Sequence, residues 1–342
     1  MTTYSHWSSI LFPTTSVIIR AYNEEKHIQK LLVGLQAQTC KPNEIILVDS
    51  GSTDRTREIA EEFDVKLVHM PKAEFTFGRS LNIGCAAANS DILIFLSAHT
   101  YPLQSDWLEN MLAPFSDENV WCVYGKQRGN EATKFSEHQI FNSWFPDQAT
   151  DDPNNYFCNN ANCAIRKIAW VDTPYDEQLT GLEDIKWSKT VHAQGYKIAY
   201  SPAATIIHVH DETWKQIENR YFREALALRE IEPATRISAW QCIQSFINSV
   251  TSDTSNAYRN GVLIRNLATI IRFRYAQYYG VSRAIFSSSV TSKRQWEQLY
   301  FPRRGHTPDK DQDLATQLPE KHIDYHKLIL SKEKENKSKT KG

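Results

Sequence analysis

Three histidines and one pair of adjacent carboxylates are the side chains of this 342-residue sequence best suited to chemistry. His99 lies in the segment FLSAHTYP, and His208 and His210 alternate in IIHVH. Alternate residues of a strand point to the same face, so His208 and His210 are expected to lie together. Such a pair is usually structural or solvated, but three converging imidazoles would bind Mn, Zn, Fe or Cu. The spacing does not choose the metal.

The carboxylate pair is Glu183 and Asp184, in the segment GLEDIKW. A carboxylate in a cleft can act as a general base, and an adjacent carboxylate raises its pKa by like-charge repulsion. The alternative is that the two acids merely favour the start of a helix through its dipole. Trp187 follows one turn later, where it could stack on a sugar face or simply be buried.

Polar residues also follow three short apolar runs, at Arg20–Asn23, Asp49–Asp54 and Ser97–Pro102. In the segment IILVDSGSTD, Asp49 could accept hydrogen bonds from a ribose hydroxyl or a base, or could only cap the turn. In FGRSLNIG, Arg79 and Asn82 lie at a predicted helix start, which suits a pyrophosphate. The alternative for these two is a solvent-facing pair.

The surrounding pattern predicts the elements that position these residues. Short runs rich in Ile, Val and Leu predict buried strands at Ser16–Ile19, Glu44–Val48, Lys66–His69, Asp91–Leu96 and Val120–Tyr124. Helical patterns separate these runs. They begin with an amphipathic helix carrying Leu31, Leu32 and Leu35, for which Asn23 is the expected N-cap. Alternating strands and helices predict a mostly parallel sheet, with ligands bound beyond the carboxyl ends of its strands.

The pattern becomes helical from Thr213, with a polar break expected at Thr251–Asn256. Arginines at 259, 265, 272 and 274 accompany the helix that follows, which could lie on an anionic membrane or pack on the first domain. The chain is polar from Pro302 onward, which favours a disordered tail.

Composition excludes several classes of protein. The 39 basic and 40 acidic residues give a net charge of -1, which argues against bulk nucleic-acid binding. The six cysteines show no C-x-x-C spacing and are interpreted as buried free thiols in a reducing compartment. Phosphate-loop, G-x-G-x-x-G, H-E-x-x-H and G-x-S-x-G motifs are absent from the sequence. No apolar run is long enough to span a bilayer. A cytoplasmic protein is expected, or one at the inner face of the cytoplasmic membrane.

The ordered set of segments resembles glycosyltransferase family 2, and above all bacterial rhamnosyltransferase-like members. The resemblance runs from about Thr14 to His210 and rests on SVIIRAYNEE, IILVDSGSTD, FGRSLNIGCAAA, LIFLSAHTYP, CNNANCAIRK, GLED and a closing histidine. It implies an α/β protein of the GT-A fold with a C-terminal helical extension. The implied domains are an extension at 1–13, a transferase domain at 14–231, a helical region at 232–301 and a disordered tail at 302–342.

The resemblance also assigns site residues. Asp184 matches the catalytic base, and Glu183 accompanies it. On the acceptor side, Asn159 and Asn160 could read acceptor hydroxyls or simply form a turn, and Trp187 is suited to stacking on the acceptor sugar. The nucleotide-diphospho-sugar donor would be held by ten residues, namely Arg20, Ala21, Tyr22, Asn23, Asp49, Arg79, Asn82, Ser97, Ala98 and His99.

The family's Asp-x-Asp metal motif falls on Ser97-Ala98-His99, where both carboxylates are absent. The resemblance therefore leaves His99 and His208, or His210 instead of His208, to hold a divalent cation such as Mn²⁺ or Mg²⁺. The implied activity is an inverting sugar transfer to a saccharide or lipid-linked acceptor in cell-surface polysaccharide biosynthesis. The alternative is a nucleotide-sugar-binding protein without turnover, its metal motif degraded.

Overall fold

The computed structural model describes residues 13–149, 155–233, 238–287 and 321–339. The predicted N-terminal extension lies outside the described residues except for Pro13. Residues 288–301 of the predicted helical region, and residues 302–320 and 340–342 of the predicted tail, also lie outside them.

One mixed sheet organises the first 210 residues. Its eight strands are β1 (Thr15–Ala21), β2 (Glu44–Asp49), β3 (Lys66–His69), β4 (Ile92–Ser97), β5 (Thr100–Pro102), β6 (Val120–Arg128), β7 (Asn162–Arg166) and β8 (Lys197–His208). Their spatial order is β3-β2-β1-β4-β7-β6-β8-β5. The ladder is parallel from β3 to β4 and between β6 and β8, while β7 and β5 run antiparallel to their neighbours. The predicted mostly parallel α/β architecture is confirmed.

Helices cover both faces of the sheet and continue beyond it. They are α1 (Ile28–Gln36), α2 (Thr56–Glu61), α3 (Phe77–Ala87), α4 (Trp107–Leu112), α5 (Phe135–Trp144), α6 (Lys167–Asp172), α7 (Glu183–Ala193), α8 (Trp214–Ile231), α9 (Ala239–Arg259), α10 (Leu263–Ile285) and α11 (Tyr325–Lys339).

The core has two layers because successive residues of each buried strand point to opposite faces. Val17 and Ile19 of β1 pack with α1 on one face, and Ile18 packs with α3 on the other. Gly84 allows α3 this close approach, since a Cβ there would lie 2.4 Å from Cγ2 of Ile18. Both faces of the central strands are therefore buried from solvent, which explains their uninterrupted apolar runs.

Asn23 does not cap the first helix. That helix begins at Ile28 and has His27 at its N-cap position, while Asn23 adopts a left-handed backbone with φ of 55°. The Asn23 side chain instead accepts a hydrogen bond from the Thr53 N–H, at 2.8 Å. A short polar side chain suits an N-cap as well as a left-handed turn position. The hydrogen bond with the loop after β2 selects the turn position here.

The break predicted at Thr251–Asn256 is also absent, since α9 runs through it to Arg259. A buried ion pair explains why a polar stretch stays helical there. The guanidinium of Arg274 on α10 donates to both carboxylate oxygens of Asp253, at 2.7 and 2.9 Å. The chain turns instead at Gly261, where φ is +68°.

The predicted disordered tail is wrong for residues 325–339, which form α11. Ile323 and Tyr325 are buried, and the Tyr325 hydroxyl donates to the carbonyl of Pro102 at 2.5 Å. These few apolar residues dock α11 on α1, although the rest of the segment is polar. Among the described residues, no helix combines the length and apolar character that crossing a bilayer requires.

Candidate active site

The carboxyl ends of β1, β2 and β4 lie side by side, as the parallel pattern predicted. In the sheet register, Ala21 pairs with Asp49 and Arg20 pairs with Ser97. Ala98, directly after β4, is buried. The predicted donor-binding residues of these three strands therefore share one edge of the sheet.

Asp49 shapes the loop after β2. Its buried carboxylate accepts hydrogen bonds from the N–H groups of Gly51 and Ser52, all at 3.2 Å. The Asn23 N–H donates to the Ser52 hydroxyl at 2.9 Å, which ties the ends of β1 and β2 together. Asp49 thus caps the turn, which is one of the two roles considered for it. The other role, contact of Asp49 with a nucleoside, stays a prediction.

Asp184 lies at the start of α7 with its carboxyl group almost removed from solvent. One oxygen accepts from the Asn160 N–H at 3.1 Å, and the other accepts from the Ile185 N–H at 2.9 Å. Burial, and secondarily the charge of Glu183, raises the pKa of Asp184 to about 7. Asp184 can therefore both take and release a proton near neutral pH, as a general base must.

Glu183 is fixed by an ion pair with Arg20. Arg20 is one of the predicted donor-binding residues at the carboxyl ends of β1, β2 and β4, which together are called the donor edge. Glu183 Oε1 accepts from the Arg20 guanidinium at 3.1 Å, across 163 positions of the chain. Arg20 also lies over the Phe77 ring, 5.2 Å from its centroid, and Arg223 lies over the same ring at 4.5 Å. The structure thus places the predicted base next to the predicted donor edge and gathers positive charge between them.

The predicted acceptor residues separate into two groups. Asn160 holds Asp184 through its backbone and accepts from the Tyr175 hydroxyl at 3.3 Å, so it borders the base. Trp187 is only 2% exposed, and its indole N–H donates to the Thr173 carbonyl. Trp187 is therefore a core residue packed beside Tyr175, the second of the two roles considered for it, and its contact with an acceptor sugar stays a prediction.

The residues predicted to meet the pyrophosphate from α3 are bound to the protein itself. Asn82 donates to the Tyr175 carbonyl and to Glu177, and it accepts from the Trp170 and Tyr175 N–H groups, all at 2.9–3.0 Å. A carboxamide offers two N–H groups and two lone pairs, so all four positions of the Asn82 amide are used within the protein, and its contact with the sugar nucleotide stays a prediction. Arg79 pairs with Glu74 and Glu177, and its donor contact stays a prediction.

The three histidines do converge. The Val209 N–H donates to the His99 carbonyl at 3.0 Å, which brings the end of β8 against the end of β4. The His99 ring stacks on His208 with centroids 5.0 Å apart, and the His208 and His210 centroids lie 4.1 Å apart. Burial, followed by the charges of His210 and His99, lowers the pKa of His208 well below its usual range. His208 is therefore neutral, the form that ligates metals.

Acidic residues that the sequence did not single out support this cluster. Glu24 Oε1 lies 3.2 Å from His99 Nδ1, and Glu137 Oε1 lies 2.8 Å from His210 Nδ1. Burial would raise the pKa of Glu137, but Arg220 and His210 outweigh it and hold that pKa at about 2. Glu24 lies in the AYNEE segment just after β1, so the sequence offered a signal for its place at the site. Glu137 is one acidic residue among many in a helical pattern and carried no such signal.

Glu137, Glu212 and His210 are close enough together to hold a cation. Arg220 takes that position, because its guanidinium donates to both oxygens of Glu137 and to both oxygens of Glu212, at 2.7–3.1 Å. This group is therefore a buried ion-pair network and not a metal site. Neutral imidazole is a preferred ligand for divalent transition metals, but His99, His208 and His210 are not, as a set, among the clusters of described residues whose ligand atoms lie within reach of one ion, so a cation there stays a prediction.

Replacing Arg20 with Met is expected to shift the pH dependence of turnover toward alkaline pH. The Arg20 charge lowers the pKa of Asp184, so its loss raises that pKa above about 7. At pH 7 we expect about a tenfold loss of kcat/KM that is partly recovered at pH 9. The pH profile of kcat/KM measures this shift, with exposed Arg55→Met as the control. An acid limb at the wild-type position would contradict the coupling.

The fold and the sequence each match known proteins. The family model described as Glycosyl transferase family 2 matches residues 16–179. The O-antigen chain rhamnosyltransferase WbaN of Salmonella anatum is 28% identical over 225 residues, which are 63% of this chain and 70% of that protein. The corresponding protein RfbN of Salmonella typhimurium is 26% identical over 219 residues, or 60% of this chain and 70% of that protein.

Two solved structures share the fold at low sequence identity. The mannosyltransferase PcManGT from Pyrobaculum calidifontis, in complex with GDP-Man and Mn²⁺, superposes with a TM-score of 0.57 at 17% identity, covering 81% of this chain and 88% of that one. The TarS 1-349 structure from S. aureus, in complex with UDP-GlcNAc, gives a TM-score of 0.50 at 16% identity, covering 79% and 91%. Sequence and sheet order agree: the family 2 model matches 164 of the 342 residues, and the fold is that of the GT-A glycosyltransferase structures.

Proposed function

We propose that this glycosyltransferase moves a sugar from a nucleotide-diphospho-sugar to a saccharide or lipid-linked acceptor in cell-surface polysaccharide biosynthesis. The two O-antigen rhamnosyltransferases among its relatives support the pathway class. The nucleotide sugars bound by the two structural neighbours support the donor class.

Asp184 is the observation that carries this proposal. A buried carboxyl with a pKa of about 7, bordering the donor edge, suits a base that takes the proton from an acceptor hydroxyl. Glu183 is held in its ion pair with Arg20, which leaves one carboxylate to act in the reaction. One base and no second carboxylate nucleophile imply a single displacement, and therefore inversion at the anomeric carbon.

The departing diphosphate needs positive charge to stabilise it. Arg20 lies at the strand edge, and Lys72 donates to the Tyr22 hydroxyl nearby at 2.6 Å. A divalent cation held by His99 and His208 would supply further charge neutralisation at this edge. These groups orient the leaving group, while Asp184 handles the acceptor proton.

A panel of nucleoside-diphospho-sugars tests the function. With the correct donor and an acceptor mixture, the purified chain should release nucleoside diphosphate and form a product of inverted anomeric configuration. A retained configuration would contradict the single displacement. Nucleotide binding with every donor but release with none would favour the binding protein without turnover.

The outer face of α9 and α10 supports a membrane-bound acceptor. Trp240, Tyr258, Ile264 and Phe286 are 71–98% exposed, and aromatic residues of this kind favour the membrane interface. Residues 239–287 contain five arginines and one acidic residue, Asp253. We therefore propose that this face lies on an anionic bilayer, which would bring lipid-linked acceptors to the site.

Replacing both Trp240 and Ile264 with Glu should weaken vesicle binding at least about tenfold, because it removes apolar anchors and adds like charge to an anionic surface. Co-sedimentation with vesicles containing phosphatidylglycerol measures the effect. Leu330→Glu on α11, which is also exposed, is the matched control and should bind like wild type. Wild-type binding that is equal on zwitterionic vesicles, or absent, would contradict the proposal.

A further inference from the structure

Three buried cysteines meet beside the predicted base. Cys122 lies on β6, Cys163 lies on β7, and Cys158 lies in the segment that leads into β7. Each of the three residues is at most 1% exposed. The Sγ atoms of Cys122 and Cys163 lie 3.5 Å apart, and all three sulfurs lie within 4.8 Å of one another. No C-x-x-C spacing announces this cluster, because its members come together only in the folded chain.

The sheet register explains how two of the sulfurs meet. Cys122 pairs with Ile165 across β6 and β7, so Cys163 lies two positions from the residue opposite Cys122. Residues two positions apart on a strand point to the same face, which brings the two side chains together. Cys158 reaches the same core layer from the preceding segment.

The geometry of the cluster resembles the coordination shell of one metal ion. Zinc–sulfur bonds are about 2.3 Å long, so two sulfurs that share one ion lie about 3.8–4.0 Å apart. The Cys122 and Cys163 sulfurs are close to that separation already, at 3.5 Å. Since the third sulfur is within 4.8 Å of both, only small side-chain adjustments are needed to close the shell.

The charge of the cluster selects the class of ion. Burial raises the pKa of all three thiols well above their usual range, so each is a neutral thiol in the metal-free protein. Metals bind the thiolate, and one divalent ion would therefore displace three protons and leave a complex with one net negative charge. A monovalent ion such as Cu⁺ would leave two negative charges in the same buried place, which costs more.

We propose that Cys122, Cys158 and Cys163 form a binding site for one soft divalent metal ion of the Zn²⁺ and Cd²⁺ class. Sulfur ligands favour such ions over Mg²⁺ and Ca²⁺, which prefer oxygen. The site shares no residue with those predicted to hold the donor or its cation. Entry requires local opening of residues 155–161, a segment with no helix or strand that carries Cys158.

An occupied site would act on the predicted base. The Cys158 thiol donates to the backbone carbonyl of Asp184 at 3.3 Å, and two residues later the Asn160 N–H donates to the Asp184 carboxylate at 3.1 Å. A metal-bound thiolate cannot donate, so the ion removes the first bond and pulls on the segment that makes the second. Sugar transfer should therefore fall about tenfold to hundredfold through misplacement of the base. This inhibition rests on the proposed function, whereas occupancy of the site does not.

Chelator-stripped, reduced protein titrated with Cd²⁺ in the absence of any sugar nucleotide tests the site directly. The ultraviolet charge-transfer absorption of cadmium–thiolate bonds reports sulfur-bound ions and not imidazole-bound ones, and equilibrium dialysis gives the affinity. We expect one thiolate-bound Cd²⁺ per chain. Cys122→Ala and Cys163→Ala should each weaken it at least about tenfold, the loss that removal of even an outer partner causes. Cys85→Ala, at a buried cysteine of α3 outside the cluster, is the matched control.

The wild-type titration decides the proposal even if a variant fails to fold. Absence of cadmium–thiolate absorption in the folded, reduced wild type, or wild-type affinity in Cys122→Ala, would overturn the site and leave three small apolar core residues. Cd²⁺ should also raise the thermal midpoint of the wild type and of Cys85→Ala, but not that of Cys122→Ala. Cys163→Ala is the second variant if Cys122→Ala does not fold.

Transfer assays separate the site from the proposed function. Cd²⁺ should inhibit the wild type and Cys85→Ala, while Cys122→Ala should keep its basal activity and resist inhibition. Equal inhibition of Cys122→Ala and the wild type would overturn the effect on Asp184. Cysteine-dependent Cd²⁺ binding in a protein that transfers sugar from no donor would keep the site and reject the proposed function.

Discussion

Asp184→Asn is expected to lower sugar transfer about 10²- to 10⁴-fold without weakening the fold. An amide cannot accept the acceptor's proton, and a positioned base contributes a factor of this size. Initial rates of nucleoside diphosphate release at saturating donor and acceptor measure the loss. Asp172→Asn, an exposed site at the end of α6, is the matched control.

The stability of the same variant separates a catalytic from a structural role. Folding raises the pKa of Asp184 from 3.8 to about 7. The stability linked to this group is therefore fully present below pH 3.8 and is lost as the pH rises through about 7. At pH 8 the wild type holds a costly buried carboxylate, which Asn removes while losing one backbone hydrogen bond.

We therefore expect the thermal midpoint of Asp184→Asn at pH 8 to equal or exceed that of the wild type, and its nucleotide affinity to be unchanged. Full transfer activity in this variant would reject the base assignment. A large drop in the midpoint would instead indicate that Asp184 mainly holds the Asn160 loop.

Arg220→Met is expected to lower the free energy of unfolding by about 3–5 kcal/mol at pH 7. It leaves the carboxylates of Glu137 and Glu212 facing each other in a buried site without their shared cation. Urea unfolding at pH 7 measures the loss, and Arg259→Met at the exposed end of α9 is the control, with an expected change below about 0.5 kcal/mol.

The pH dependence of this loss has a defined sign. Arg220 and His210 hold the pKa of Glu137 at about 2, below its usual 4.5. The stability that this depressed pKa contributes is present above pH 4.5 and lost as the pH falls toward 2. The wild type and Arg220→Met should therefore differ less at pH 4 than at pH 7, and a difference independent of pH would contradict the network.

A triple variant tests the same network by removing all three of its charged side chains. Replacing Glu137 with Leu, Glu212 with Leu and Arg220 with Met should recover most of the lost stability, because apolar residues can replace a buried ion network at little cost.

The sequence alone predicted the parallel sheet, the edge where its polar residues gather and the family resemblance. Short apolar runs such as Glu44–Val48 favour strands buried on both faces, and parallel strands place their following residues at one edge. Arg20, Asp49 and Ser97 could therefore be placed together from the sequence. The pairing of His99 with His208 was implied by the family resemblance and not by the strand pattern.

Only the tertiary structure decided which of those side chains are available for chemistry. Asn82 and Trp187 look like ligand-binding residues in the sequence, yet the Asn82 amide bonds to neighbouring protein groups and Trp187 is buried beside Tyr175. The raised pKa of Asp184 requires burial that no local pattern encodes, and the Arg20–Glu183 pair joins residues 163 positions apart. Local periodicity reports which face of an element is buried, whereas hydrogen-bond partners and desolvation depend on elements that meet only when the chain folds.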